Sequence, residues 1–313
     1  MKKILIAGAN GFVGRHLKDA LSGLDGYDVH PVVRSNGKND LLDAYSLESL
    51  NDVDTAYYLV HGLKSDDRDF EYDEAKAALN FANWMKKSGC KKIIYLGALG
   101  PEHQVSPHLR SRHLVGEILS LSGIPCLEFR ASIVIGAGST SFEMIKALSE
   151  RLPFFPEFKK LDQLCQPIAL SDLMLYLRAG LDWNSDSSQV VEIGGLDRIT
   201  YGGLIALYLN LTMKQKKSMK IPPVDDRIFR KLLQVMIPEM ADVGQKLFDS
   251  LVHETVVNQR VAGKLFENIN PIGVRESMMS AIESSTTHYR PLWDKEIQIL
   301  RQLKLLTKFD VIG

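Results

Sequence analysis

The sequence predicts a doubly wound α/β fold with a parallel sheet, followed by a smaller, mostly helical C-terminal region. Two observations carry this prediction. Short apolar runs alternate with amphipathic helical stretches from residue 3 to about residue 135. The apolar runs are continuous instead of alternating with polar residues, which is typical of strands that helices cover on both faces.

The elements follow one another in an order that suits strand–helix–strand units. The predicted strands are residues 3–7, 29–34, 56–60, 93–96 and 124–129, with one more expected just before Asp40. The predicted helices are residues 12–24, 70–87 and 108–121. After residue 135 the alternation weakens, with a helix at 141–151, a strand at 190–193 and mainly helical sequence beyond 213.

The 313 residues are enough for one large domain or two modest ones. We expect one domain at 1–135, which returning elements extend to about residue 212. The remaining residues, 136–313, are expected to form a mostly helical region that caps a cleft at the carboxyl ends of the strands.

Composition excludes several classes of function. The 38 basic residues balance the 38 acidic ones, which argues against a nucleic-acid-binding surface. No apolar run approaches the ~20 residues that a membrane helix needs. Three widely separated cysteines suit a reducing compartment, and no metal-binding spacing occurs, so we expect a cytoplasmic protein without a metal site.

Three glycines follow the first predicted strand and open the first helix, in the segment Gly8-Ala9-Asn10-Gly11-Phe12-Val13-Gly14. Gly8 permits a tight turn, Gly11 lets a pyrophosphate approach the backbone, and Gly14 lets the helix pack on the sheet. The helix N-terminus favours phosphate through its amides and dipole. The segment therefore predicts dinucleotide binding at Gly8, Asn10, Gly11, Phe12 and Val13, with a purely structural turn as the alternative.

The end of the second strand predicts which dinucleotide binds. An NAD-preferring site places an acidic residue there to hold the ribose 2′-hydroxyl. This chain has Arg34 and Ser35, with Lys38 close behind. Because a cation and a hydroxyl suit a 2′-phosphate, we expect NADP(H). The alternative is that Arg34 is an ordinary solvated residue.

Several segments resemble the atypical short-chain dehydrogenase/reductases, which are NAD(P)-binding proteins with a Rossmann fold. The glycine turn is similar to theirs. The resemblance to an epimerase/dehydratase-like subgroup involves residues 95–100, 110–113, 116–117, 166–168 and 250–257. It implies that further residues line the cofactor: Asp40 and Leu41 near the adenine, then Leu59, Val60, His61, His113, Ala131 and Ile133.

The family's usual chemistry uses a serine, a tyrosine and a lysine four residues after the tyrosine. Glu117 resembles a later family glutamate, and this match places the lysine position at His113 and the tyrosine position at Leu109. The serine position falls at Gly97 or Ala98. None of the three catalytic residues is retained.

His113 is the one candidate for a catalytic group. With a reference pKa of ~6.5 it would be largely neutral at pH 7 and cannot copy a lysine's charge. It could hydrogen-bond ribose hydroxyls, with a packing role as the alternative.

These features favour an NADP(H)-dependent oxidoreductase or isomerase of a small, partly apolar substrate or a quinone-like acceptor. Its proton would come from water, the substrate or His113. Because three catalytic positions are lost together, the alternative is a non-catalytic NADP(H)-binding protein, either a redox sensor or a structural subunit.

Overall fold

A computed structural model describes residues 1–35, 37–60, 70–102, 106–157, 159–220, 235, 253–259, 261–286, 288–289 and 298. The chain forms two compact units. The first comprises residues 1–132, 168–195 and 257–272, and the second comprises 133–167, 196–256 and 273–313.

The described strands and helices are listed in chain order. The strands are β1 (Lys2–Ala7), β2 (Tyr27–Val32), β3 (Thr55–Tyr58), β4 (Lys92–Ala98), β5 (Cys126–Ala131), β6 (Val134–Ile135), β7 (Phe155–Glu157), β8 (Leu164–Cys165), β9 (Ile168–Ala169), β10 (Gln189–Ile193), β11 (Ile199–Thr200) and β12 (Ser218–Lys220). The helices are α1 (Phe12–Ser22), α2 (Phe70–Lys87), α3 (Pro107–Ser120), α4 (Thr140–Arg151), α5 (Leu170–Ala179), α6 (Tyr201–Leu211), α7 (Ala262–Leu265) and α8 (Val274–Ser284).

The first unit is built on a six-stranded sheet in the order β10-β5-β4-β3-β1-β2. Every neighbouring pair in it is parallel. The order reverses between β1 and β3, because β2 lies on one side of β1 and all later strands lie on the other. The predicted doubly wound α/β class is therefore confirmed.

Helices cover both faces of this sheet, and two neighbouring tyrosines of β3 show it. Tyr57 donates a hydrogen bond of 2.8 Å to the Leu177 carbonyl in α5. Tyr58 points the other way, and its ring lies 4.9 Å from that of Phe81 in α2. Successive strand residues alternate between faces, so a strand buried on both sides needs apolar residues throughout.

One predicted strand is wrong. The described residues just before Asp40 form no strand; Ser35 and Lys38 instead make an isolated antiparallel bridge across a tight turn. Asp40 accepts a hydrogen bond from the Leu42 amide, and its own amide donates to Ser46. Side chains of this kind bond nearby amides and so compete with a strand's ladder.

The second unit has its own core between helices. Phe142 of α4, Leu204 and Tyr208 of α6, and Met278 of α8 are buried there. Short strand pairs accompany them, β7 with β12 and β8 with β11. Division of the chain into a nucleotide-binding domain and a substrate cap stays a prediction.

The described part of the chain contains neither a membrane-spanning helix nor a metal-binding cluster. None of its helices is long and apolar enough to cross a membrane. No group of three or more His, Cys, Asp or Glu side chains within it is arranged to hold a metal ion.

The core between α2 and the sheet predicts a stability difference between two residues of one helix. Phe81 is fully buried, whereas Leu79 is 51% exposed. Phe81→Ala should lower the free energy of unfolding by about 3–5 kcal/mol because it leaves a cavity. Leu79→Ala should change it by less than about 0.5 kcal/mol. Urea unfolding followed by circular dichroism measures both, and similar losses would contradict the described packing.

Candidate functional site

Gly8 forms the turn that joins β1 to α1. Its φ angle of +86° is one that residues with a side chain rarely adopt. A Cβ atom at this position would lie 2.6 Å from the carbonyl carbon and oxygen of Leu59. The end of β3 therefore packs directly on the turn, and only glycine fits there.

Gly14 and Gly11 complete the turn in different ways. A Cβ at Gly14 would collide with the Gly8 carbonyl oxygen and lie 2.8 Å from the Cα of Ala9. Gly14 therefore lets α1 lie directly against the backbone of the turn. At Gly11 a Cβ would lie 3.2 Å from the Gly8 oxygen, a tight contact, so glycine keeps this stretch of backbone free of a side chain.

Helix α1 begins directly after Gly11, at this turn. The amides of a helix's first turn have no acceptor within the helix. Among the described residues no side chain caps this end, and the first turn holds no acidic residue. Asn10 is exposed and its carbonyl accepts from Arg15, while the Phe12 ring lies 4.8 Å from that of His16. The turn, including Val13, thus fits a phosphate, which would find amide donors and no competing carboxylate.

The residues predicted to set the preference for NADP(H) follow the end of β2. The Arg34 side chain is 67% exposed, and its Nη1 lies 3.3 Å from a carboxylate oxygen of Asp40. Lys38 pairs with Glu48 at 2.9 Å, and this hydrogen bond lowers the pKa of Glu48. Ser35 lies between the two pairs in the tight turn. The turn thus brings Arg34 and Asp40 together.

The other predicted cofactor residues fall into three groups. Leu41, Leu59 and Ala131 are buried apolar residues, the last at the carboxyl end of β5. Val60 is half-buried, whereas His61 lies outside the described residues and Ile133 belongs to the second unit. Contact between these residues and a nucleotide stays a prediction.

The resemblance assigns a tyrosine position to α3 and a serine position to β4. Neighbouring side chains occupy the space at both positions. Leu109, at the tyrosine position, is buried, and its side chain occupies the space beside Gly100. A Cβ at Gly97, one of the two serine positions, would lie 2.5 Å from Oε1 of Glu128. A serine would therefore not fit at Gly97 without moving Glu128.

A polar cavity of about 490 Å³ lies within the first unit, between α3, β5 and β10. His113 and Glu117 line it from α3, and Glu128 and Arg130 line it from β5. The Glu128 side chain is 4% exposed and accepts a hydrogen bond of 2.8 Å from Nε of Arg130. Gly116 makes room for this carboxylate, because a Cβ there would collide with it.

The charges in this cavity affect one another. Burial raises the pKa of Glu128, and the hydrogen bond from Arg130 opposes the shift. Burial also lowers the pKa of His113, and the positive charge of Arg130 lowers it further. His113 is therefore neutral at pH 7. Its Nε2 donates to the Ala98 carbonyl at 3.3 Å, which leaves Nδ1 as an acceptor in the neutral ring.

Sequence reasoning did not single out Glu128 or the buried Arg112 as site residues. A glutamate within an otherwise apolar strand, Cys126 to Phe129, was the available signal for the first. For Arg112 the only signal is its place beside His113 on the predicted helix.

The N-terminal part of the chain matches one family model. Residues 4–114 match the family model described as the NAD dependent epimerase/dehydratase family. A search of curated proteins finds no match.

Solved structures share the fold along most of the chain. UDP-glucose 4-epimerase from Thermotoga maritima, with UDP-glucose, is 18% identical, has a TM-score of 0.67 and covers 90% of this chain and 98% of its own. RMD from Pseudomonas aeruginosa, complexed with NADPH, is 15% identical with a TM-score of 0.61, and the match covers 90% of this chain and 99% of that one. UDP-glucuronic acid 4-epimerase from Bacillus cereus, in complex with NAD, is 16% identical with a TM-score of 0.65, covering 89% and 94%.

At these identities the solved structures establish the fold alone, whereas the family model covers the glycine turn, β1 to β4 and the first part of α3. The predicted resemblance to NAD(P)-binding epimerase/dehydratase proteins is confirmed by this match. Residues 4–114, which hold the glycine turn, are therefore similar to the NAD-dependent epimerase/dehydratase family.

Proposed function

We propose that the chain binds NADP(H) at the carboxyl edge of the six-stranded sheet and is an oxidoreductase or isomerase of a small, partly apolar substrate. The observation that carries the proposal is the glycine turn. Backbone atoms stand where Cβ atoms of residues 8 and 14 would be, and a Cβ at Gly11 would also be tight against the Gly8 oxygen. A bound nicotinamide would supply hydride transfer.

Arg34 supports NADP(H) over NAD(H). An exposed ion pair such as Arg34 with Asp40 is worth only about 0.2–1 kcal/mol. A charge-assisted contact with a 2′-phosphate is typically worth about 1.5–3 kcal/mol. Exchange of Asp40 for the phosphate is therefore favourable. The solved structures carry no such preference, since one is complexed with NADPH and another with NAD.

The proton chemistry rests on groups other than the family's tyrosine. Leu109 has no proton to give, whereas His113 is neutral, half-buried and keeps one ring nitrogen as an acceptor. Because the free Nδ1 of His113 accepts a proton and has none to give, we propose water or the substrate as the proton source and His113 as a proton acceptor.

A second candidate function is a non-catalytic NADP(H)-binding protein, either a redox sensor or a structural subunit. The filled family positions favour it. Leu109 packs beside Gly100, and Glu128 occupies the space beside Gly97. The nucleotide-binding turn is kept, and these positions are closed by packing.

Arg34→Asp should separate the two cofactors. Because the variant loses the cation and gains a repelling carboxylate, NADPH affinity should fall at least about tenfold while NADH affinity changes little. NADPH fluorescence titration measures both. Arg110→Asp is the matched control, since Arg110 is likewise exposed and paired, with Glu71. Equal losses for NADPH and NADH would refute the assignment of Arg34.

Enzymatic activity can be tested with a panel of carbonyl compounds and quinones, following NADPH absorbance. We expect at least one member to be reduced by the wild-type chain, with a higher KM for NADPH in the Arg34→Asp variant. No turnover across the panel, together with tight NADPH binding, would count against the enzyme.

The sensor is tested by comparing NADPH with NADP⁺. A sensor should bind the two with different affinities or change its association state between them, because a ligand without differential affinity shifts no equilibrium. Calorimetry and analytical ultracentrifugation give both quantities. Identical affinities with one association state would eliminate the sensor and leave the structural role.

A further inference from the structure

Arg112 on α3 is a buried guanidinium, with 3% of the residue exposed. Its Nη2 donates a hydrogen bond of 2.6 Å to the Leu96 carbonyl, and its Nη1 lies 3.4 Å from the Val60 carbonyl. Burying a charge is unfavourable unless its hydrogen bonds are made. The Arg112 side chain donates to two backbone carbonyls, one just after β3 and one near the end of β4.

The Tyr95 ring contacts the Arg112 guanidinium and helps to fix its position. The guanidinium carbon lies 5.3 Å from the centre of the Tyr95 ring, which is within the range of a cation–π contact. The Tyr95 hydroxyl in turn donates 2.9 Å to the Arg112 carbonyl. Side chain and backbone of residue 112 are thus both held by β4, so the guanidinium has one defined position.

The Val60 and Leu96 carbonyls lie toward the nicotinamide half of the proposed nucleotide site. A dinucleotide binds across the carboxyl edge where the strand order reverses, which here is between β1 and β3. Arg34, just after β2, marks the adenosine side. The ends of β3 and β4, with Val60 and Leu96, therefore lie on the nicotinamide side.

The Val60 segment also reaches the phosphate-binding turn. A Cβ on Gly8 would lie 2.6 Å from the Leu59 carbonyl and 3.0 Å from the Val60 amide nitrogen. These contacts fix Leu59 and the Val60 amide against the turn, so loss of Arg112 should displace the Val60 carbonyl and leave the phosphate-binding turn in place.

From these contacts we infer that Arg112 is a positioning residue for the nicotinamide half of the cofactor. By holding the Val60 and Leu96 carbonyls, it sets the edge of β3 and β4 on which that half lies. The inference rests on the proposed NADP(H) binding.

The test compares two ligands, NADPH and 2′,5′-ADP, in the full chain. The second ligand has the adenosine half with its 2′-phosphate and lacks the nicotinamide half. Arg112→Met should weaken NADPH binding about tenfold or more, because two carbonyls lose a charged donor. It should leave 2′,5′-ADP affinity within about twofold, by competition and calorimetry. Equal weakening of both ligands, or of neither, would overturn the inference.

Controls separate positioning from general damage to the fold. Arg110→Met, two residues earlier on α3, removes an exposed arginine and should leave both affinities unchanged. Arg112→Lys keeps the charge but not the two-pronged donor, so it should weaken NADPH binding several-fold and spare 2′,5′-ADP. If Arg112→Met does not fold, this variant decides, and wild-type NADPH affinity in it would overturn the inference.

Failure of the proposed function gives a different result. A wild-type chain that binds neither NADPH nor 2′,5′-ADP would refute NADP(H) binding itself. A wild-type chain that binds both, with Arg112 variants that do not discriminate between them, would refute only the role of Arg112.

Discussion

The first unit depends on one close approach, that of the Leu59 carbonyl to Gly8. No side-chain atom fits between them, so the end of β3 lies directly against the turn that opens α1. Gly14 adds a second such contact, because its own missing Cβ lets α1 approach the backbone of Gly8 and Ala9. Together these contacts place the N-terminus of α1 at the carboxyl edge of the sheet, where a phosphate can meet the helix amides.

A second constraint is the burial of charge between α3 and the sheet. Glu128 and Arg112 are nearly inaccessible to solvent. Burial raises the pKa of Tyr95; the positive charge of Arg112 opposes this shift, and the negative charge of Glu128 adds to it. Each charge is accommodated differently. Glu128 pairs with Arg130 and lies between two glycines, whereas Arg112 donates to backbone carbonyls. A serine at Gly97, one of the two positions that the resemblance assigns to it, would require the Glu128 side chain to move.

The sequence predicts the parts of the structure that are set by local pattern. The six-stranded parallel sheet needs continuous apolar strands, and these are visible around Ile4 and Ile93. The glycine turn is equally visible, because each glycine has its own steric reason. The strand expected before Asp40 fails because side-chain hydrogen bonds to nearby amides replace the ladder. Arg112 was missed because its acceptors, the Val60 and Leu96 carbonyls, lie on other elements. Glu128 and its partner Arg130 stand two residues apart on β5, but the glycines that make room for Glu128 lie on β4 and α3, and no spacing along the chain reveals them.

The carboxylate of Glu128 has a consequence for how this chain could change over time. It fills the volume beside Gly97 and also the volume beside Gly116. A serine introduced at position 97 would therefore require the Glu128 side chain to move. Loss of Glu128 alone would in turn leave Arg130 without its buried partner. Substitutions at positions 97, 116 and 128 are thus coupled, so the effect of each depends on which of the others has already occurred.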